Sequence, residues 1–205
     1  MIFSGEHRLR LILVFAFSFG LAGCGETGVF TSDGDACDGY GDPAESKYVL
    51  PYPIGRDIIV AQGNCTTSSH FGVTRFSYDF DLKIGDIITA ARGGKVVTIK
   101  TPHDDSNQVL GNYLVIEHED GTFGFYIHLT KDGELIEKGA MVSQGQEIAI
   151  SGKSGANFEH LHFMVKEKEL GGFSRPITFR NAENNKNGLQ ETKSYVALDY
   201  TPDGS

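Results

Sequence analysis

Nowhere in residues 48–200 do apolar side chains recur at a helical period over any useful length. Short alternating runs take their place, cut by glycine turns. The chain holds 26 glycines and no tryptophan. Alternation sends successive side chains to opposite faces, so each run can bury one face and wet the other, as antiparallel strands do. The clearest case is residues 113–118, then Asp120-Gly121, then residues 122–129. These are two alternating runs joined by a dipeptide that suits a tight hairpin. Residues 75–82 put Phe76, Tyr78, Phe80 and Leu82 on one face and Ser77, Asp79 and Asp81 on the other. Residues 87–91, 95–100, 147–151 and 195–197 read as further short strands. Pro51 and Pro53 remove backbone donors, so residues 48–53 are expected at an extended edge. The expected fold is all-β: an antiparallel β-sandwich or open barrel of short strands with Gly-rich turns.

The first residues belong to a different class. Arg8 and Arg10 precede an apolar run, residues 11–21, which is shorter than the ~20 residues of an ordinary membrane-spanning helix. The run ends in Leu21-Ala22-Gly23-Cys24, which resembles a bacterial lipoprotein signal. Residues 1–23 are therefore expected as a signal peptide, with Cys24 lipidated. Residues 24–47, rich in Gly, Asp, Ser and Glu, are expected as a tether. Residues 48–200 then form the domain, with its core at about 65–168. This describes an exported bacterial lipoprotein, membrane-anchored through Cys24 and facing the periplasm or cell wall. Cys37 and Cys65 remain, either as a disulfide in an oxidising compartment or as two free thiols. Without residues 1–23, which hold Arg8, Arg10 and Glu6, the chain has 16 basic and 26 acidic residues, a net of −10. That balance argues against nucleic acid, whose binding depends on neutralising phosphates.

Within the domain, His160 and His162 sit two apart in a strand-like run, so their imidazoles share a face opposite Leu161 and Phe163. His70, Asp79 or Asp81, and His128 join them as the polar residues of exposed strand faces and ends. A catalytic zinc centre takes three protein ligands and keeps one position open. Two histidines and a carboxylate fit that pattern and leave two imidazoles for proton transfer. The bland alternative is a set of solvated surface histidines. His118 reads as a turn-stabilising or exposed residue at a hairpin end, and His103 as a solvated residue of a polar loop, 101–112. Gly152-Lys153-Ser154-Gly155 is not a phosphate loop, because Glu147 stands where that motif needs glycine and a strand follows.

The ordered set Ser69-His70-Phe71-Gly72, Tyr78-Asp79-Phe80, Ile84-Gly85-Asp86, Gly111-Asn112-Tyr113, Tyr126-Ile127-His128-Leu129 and His160-Leu161-His162-Phe163 resembles the lysostaphin/LytM-type zinc endopeptidases, peptidase family M23. The resemblance covers roughly residues 48–168. It implies a zinc metalloendopeptidase that hydrolyses peptide bonds in peptidoglycan, in stem peptides or cross-links, by a metal-activated water. It also implies Zn2+ held by His70, Asp79 and His162, with His128 and His160 catalytic. Asp79 is chosen over Asp81 because Tyr78-Asp79-Phe80 matches the family's Asp-Phe. Three departures stand out: nine residues from His70 to Asp79 where four are usual, Glu159 in place of the usual Pro, and Met164 where Glu is frequent. The competing reading is a non-catalytic cell-wall-binding or regulatory LytM-like module working with a protein partner.

Overall fold

The computed structural model describes residues 37–201. The expected signal peptide, Cys24 and the first part of the tether lie outside them. Apart from two single-turn 3-10 helices, Pro43–Glu45 and Gly72–Thr74, the regular structure among these residues is antiparallel β. In chain order the strands are β1 (Asp57–Gln62), β2 (Tyr78–Phe80), β3 (Ile87–Thr89), β4 (Gly94–Lys100), β5 (Tyr113–Glu117), β6 (Phe123–Ile127), β7 (Leu129–Glu134), β8 (Met141–Val142), β9 (Glu147–Ser151), β10 (Leu161–Lys166) and β11 (Ser194–Val196). Eight form one sheet, in the order β11-β1-β2-β10-β6-β5-β4-β8. The other three form a second, β3-β9-β7. The fold class is as the alternation led one to expect.

The core between the sheets follows from side-chain parity. Leu161 and Phe163 of β10 are fully buried with Tyr78 and Phe80 of β2, Tyr126 of β6, and Ile88 and Ile148 of the smaller sheet. His162, Met164 and Lys166 carry the opposite parity. Met164 joins Val115 and Phe125 in a smaller apolar cluster on the outer face of the large sheet. β10 is thus buried on both faces, which explains its nearly unbroken apolar run. The β5–β6 hairpin closes at Gly121 (φ +75°), with the His118 and Thr122 backbones bonded across the turn.

The structure departs from the sequence expectations at several points. Residues 48–53, expected at an extended edge, are packed against the core: Tyr48, Val49, Leu50 and Tyr52 are all buried. Their backbone pairs with the β3 region through Val49 N–H to Ala91 O and Thr89 N–H to Pro51 O, so the prolines cap a packed segment rather than a wet one. β1 has no clean alternation and is a strand because β2 and β11 pair with it on both sides. His118 is neither exposed nor a mere turn residue. It is 3% exposed, donates Nδ1–H to Gly93 O at 2.9 Å and packs edge-on to Tyr48. His103 is half-buried rather than solvated. Cys37 and Cys65 are joined, with Cα atoms 6.0 Å apart. The bond ties residue 37 to the turn that precedes His70.

Candidate active site

Two strands and a loop bring three side chains to one point. β2 and β10 are neighbours, and their register sets Asp79 directly opposite His162. Such cross-strand partners have Cβ atoms only ~5 Å apart. His70 arrives from the loop between β1 and β2, just before the Gly72–Thr74 turn. His162 Nδ1 lies 2.8 Å from Asp79 Oδ1, His70 Nε2 lies 3.1 Å from the same oxygen, and His70 Nε2 lies 3.3 Å from His162 Nδ1. All three residues are buried. The exposed polar face expected from the alternation is in fact a covered one.

The hydrogen-bond accounting says what these atoms present. His70 donates Nδ1–H to Gly63 O at 2.7 Å. In the neutral imidazole its Nε2 then carries a lone pair, aimed at a carboxylate oxygen and a second imidazole nitrogen. Three electron-pair donors converging in a buried pocket repel one another unless positive charge lies among them. The set of two imidazoles and one carboxylate suits zinc. Bonds of about 2.0–2.2 Å at tetrahedral angles separate ligand atoms by roughly 3.3–3.6 Å, so the 2.8–3.3 Å spacings found need to open only by a few tenths of an ångström. The His70–Gly63 bond is also what a metal-binding imidazole needs behind it, since it fixes tautomer and ring direction. When protons rather than a cation lie among these atoms, burial pushes the Asp79 carboxyl up, but hydrogen bonds from His162 and His70 outweigh it and hold the carboxyl well below the usual carboxylate range. Asp81, the alternative left open by alternation, is not in the group. Its carboxylate bonds Lys83 Nζ at 2.7 Å near the surface.

The other two imidazoles flank this point. His160 stands just before β10, not within it, with Nε2 3.6 Å from Asp79 Oδ1. Its ring centroid is 4.6 Å from that of His128, which in turn is 6.0 Å from that of His162. Each donates Nδ1–H to a carbonyl of one short segment: His128 to Ser154 O at 2.7 Å and His160 to Phe158 O at 3.1 Å. Both are left with Nε2 as a proton acceptor. Burial, then the neighbouring His160, pushes His128 down to about 4, and burial likewise pushes His160 down. In both, burial favours the neutral imidazole.

Sequence reasoning missed three residues that shape this site. Phe158 stacks on His160 with ring centroids 4.2 Å apart, and half of its surface is open. Ser154 and Asn112 are fully buried behind His128. The composition of Gly152-Lys153-Ser154-Gly155 suggests at most a phosphate loop, and nothing in it points to His128.

Residues 74–172 match the profile described as Peptidase family M23. Peptidoglycan DD-endopeptidase ShyB of Vibrio cholerae serotype O1 is 30% identical over 185 residues, which are 87% of this chain and 40% of that protein. Outer membrane antigenic lipoprotein B of Haemophilus influenzae is 30% identical over 127 residues, 62% of this chain and 28% of that protein. The chain spans less than half the length of either relative. Among solved structures, the catalytic domain of lysostaphin from Staphylococcus simulans is 25% identical, with a TM-score of 0.43, covering 63% of this chain and 84% of that one.

Proposed function

We propose that the protein is a member of peptidase family M23, whose profile residues 74–172 match, and a zinc-dependent endopeptidase that hydrolyses peptide bonds of peptidoglycan. The observation that carries the reading is the convergence of His70 Nε2, Asp79 Oδ1 and His162 Nδ1 within 2.8–3.3 Å of one another. The name of ShyB favours a DD-endopeptidase activity.

His70, Asp79 and His162 would hold the ion. Zinc bound there would supply carbonyl polarisation and a water of lowered pKa, about 7. The rest of the chemistry falls to the chain. Hydrolysis moves one proton from the attacking water to the departing amine. His128 and His160 are the groups able to carry it, since each has Nδ1 engaged on a carbonyl and offers Nε2. A charge on His160 disfavours one on His128, so the pair carries one proton at a time. One imidazole accepts the proton from water. The resulting imidazolium stands beside the Asp79 carboxylate, which stabilises it, and then returns the proton to the leaving nitrogen.

The expected signal peptide and Cys24 make this an exported lipoprotein acting at the membrane face of the wall, and the lipoprotein name of the second relative supports that placement. The domain is taken as residues 48–200. Purified protein incubated with peptidoglycan is expected to release soluble peptide-cut fragments, to stop when a chelator is added and to resume with zinc. Failure to release fragments at any zinc concentration would overturn the reading.

A further inference from the structure

His128 reaches the site against the alternation of its own strand. In β6, Tyr126 faces the main core while Phe125 and Ile127 face the other side, where His162 lies opposite Ile127. Regular continuation would send residue 128 to the side of Tyr126. Instead His128 has φ +70°, and its imidazole lies beside His160 and His162. A residue other than glycine keeps that conformation only where its surroundings hold it.

The surroundings that hold it are specific. His128 N–H donates to Asn112 O at 2.9 Å, and His128 O accepts from Gly152 N–H at 3.0 Å. Ser154 O receives the Nδ1–H. Behind these bonds sits the fully buried Ser154 hydroxyl, which accepts from Asn112 N–H at 2.9 Å and donates to Leu129 O at 2.7 Å. The Asn112 amide donates to the same Leu129 O at 3.0 Å and to His103 O at 2.7 Å. The two loops also touch directly, since a Cβ on Gly155 (φ +72°) would lie 2.5 Å from Gly111 N. Both side chains fasten Leu129 O, the carbonyl that follows His128, and Ser154 also ties in the Asn112 backbone.

We propose that Ser154 and Asn112 are positioning residues that act through His128: together they hold the 128 backbone in its left-handed turn and keep Ser154 O on Nδ1, so that Nε2 faces the scissile bond. The inference rests on the endopeptidase reading for its effect on rate, but not for its effect on the imidazole. Zinc-loaded wild type and Ser154→Ala are compared by ring-nitrogen NMR of His128, by zinc content and by kcat and KM on peptidoglycan fragments. Wild type is expected to show the proton on Nδ1. Ser154→Ala is expected to lose or broaden that Nδ1–H signal, keep its zinc, and lose roughly tenfold to a hundredfold in kcat with KM nearly unchanged. Should Ser154→Ala fail to fold, Ser154→Cys carries the test, because a thiol fills the place but bonds weakly, and the same split is expected at smaller size. Unaltered His128 signals with unaltered kcat would overturn the proposal, as would a loss borne only by KM or by zinc. If no protein cleaves but the Nδ1–H signal still depends on Ser154, the endopeptidase reading fails and the positioning stands.

Discussion

Asp79 and Asp81 stand two apart and share a strand parity, yet they meet different environments. Asp79 is buried against His70, His160 and His162, while Asp81 pairs with Lys83 near the surface. Alternation alone could not separate them, because the difference lies in which neighbour strand each meets: β2 ends at Phe80. Asp79→Asn is expected to lose bound zinc, and Asp81→Asn to keep it, by metal content after purification. A second residue-scale test concerns His118. Burial, and then Arg92, pushes it down to about 4, against the raising contributions of the Gly93 carbonyl and Asp120. Its folded pKa lies below the unfolded value, so as pH falls the unfolded chain binds the proton first. This part of the stability is whole above about 6.5 and is lost progressively between about 6.5 and 4. The loss from this one residue is roughly 2 kcal/mol between about pH 7 and pH 5. Urea unfolding at the two pH values should show a shallower difference in His118→Phe; an equal slope would contradict the assignment.

At the scale of elements, β10 joins core and site. Its Leu161 and Phe163 pack inward while His162 faces the donors. Phe163→Ala is expected to destabilise the fold by about 3–5 kcal/mol, read as a lower denaturation midpoint, since the fully buried ring packs against Tyr126 and Phe179. The β4–β5 pairing depends on Gly94, where a Cβ would lie 2.2 Å from Glu117 O. Gly94→Ala is expected to lower the melting temperature although the substitution adds a single methyl. The β5–β6 hairpin and β10 were legible because period-2 alternation and Asp120-Gly121 carry their own signal. The burial of residues 48–53 was not, since it is decided by the partner that Ala91 and Asn181 supply. Nor was the turn at His128, a left-handed residue that no local motif announces.

For the whole molecule, the chain order of the site conceals its geometry. His70, Asp79, His128, His160 and His162 were all named from the sequence, the division of roles among them coming from the family resemblance rather than from spacing. What brings them together is a sheet order that sets β2 beside β10 and β10 beside β6, although long stretches of chain separate them. The Cys37–Cys65 bond spans 28 residues and fastens the segment before the domain to the turn that carries Asn64, whose amide bonds Tyr40 and Tyr78. Loop-closure entropy assigns such a bond about 3–4 kcal/mol, so Cys37→Ser should unfold at clearly lower denaturant. The central claim, that three side chains hold zinc while two others move the proton, is tested most directly by zinc content in two variants. His160→Ala is expected to retain wild-type zinc and lose peptidoglycan cleavage, whereas His162→Ala is expected to lose both; full zinc in His162→Ala would contradict the account.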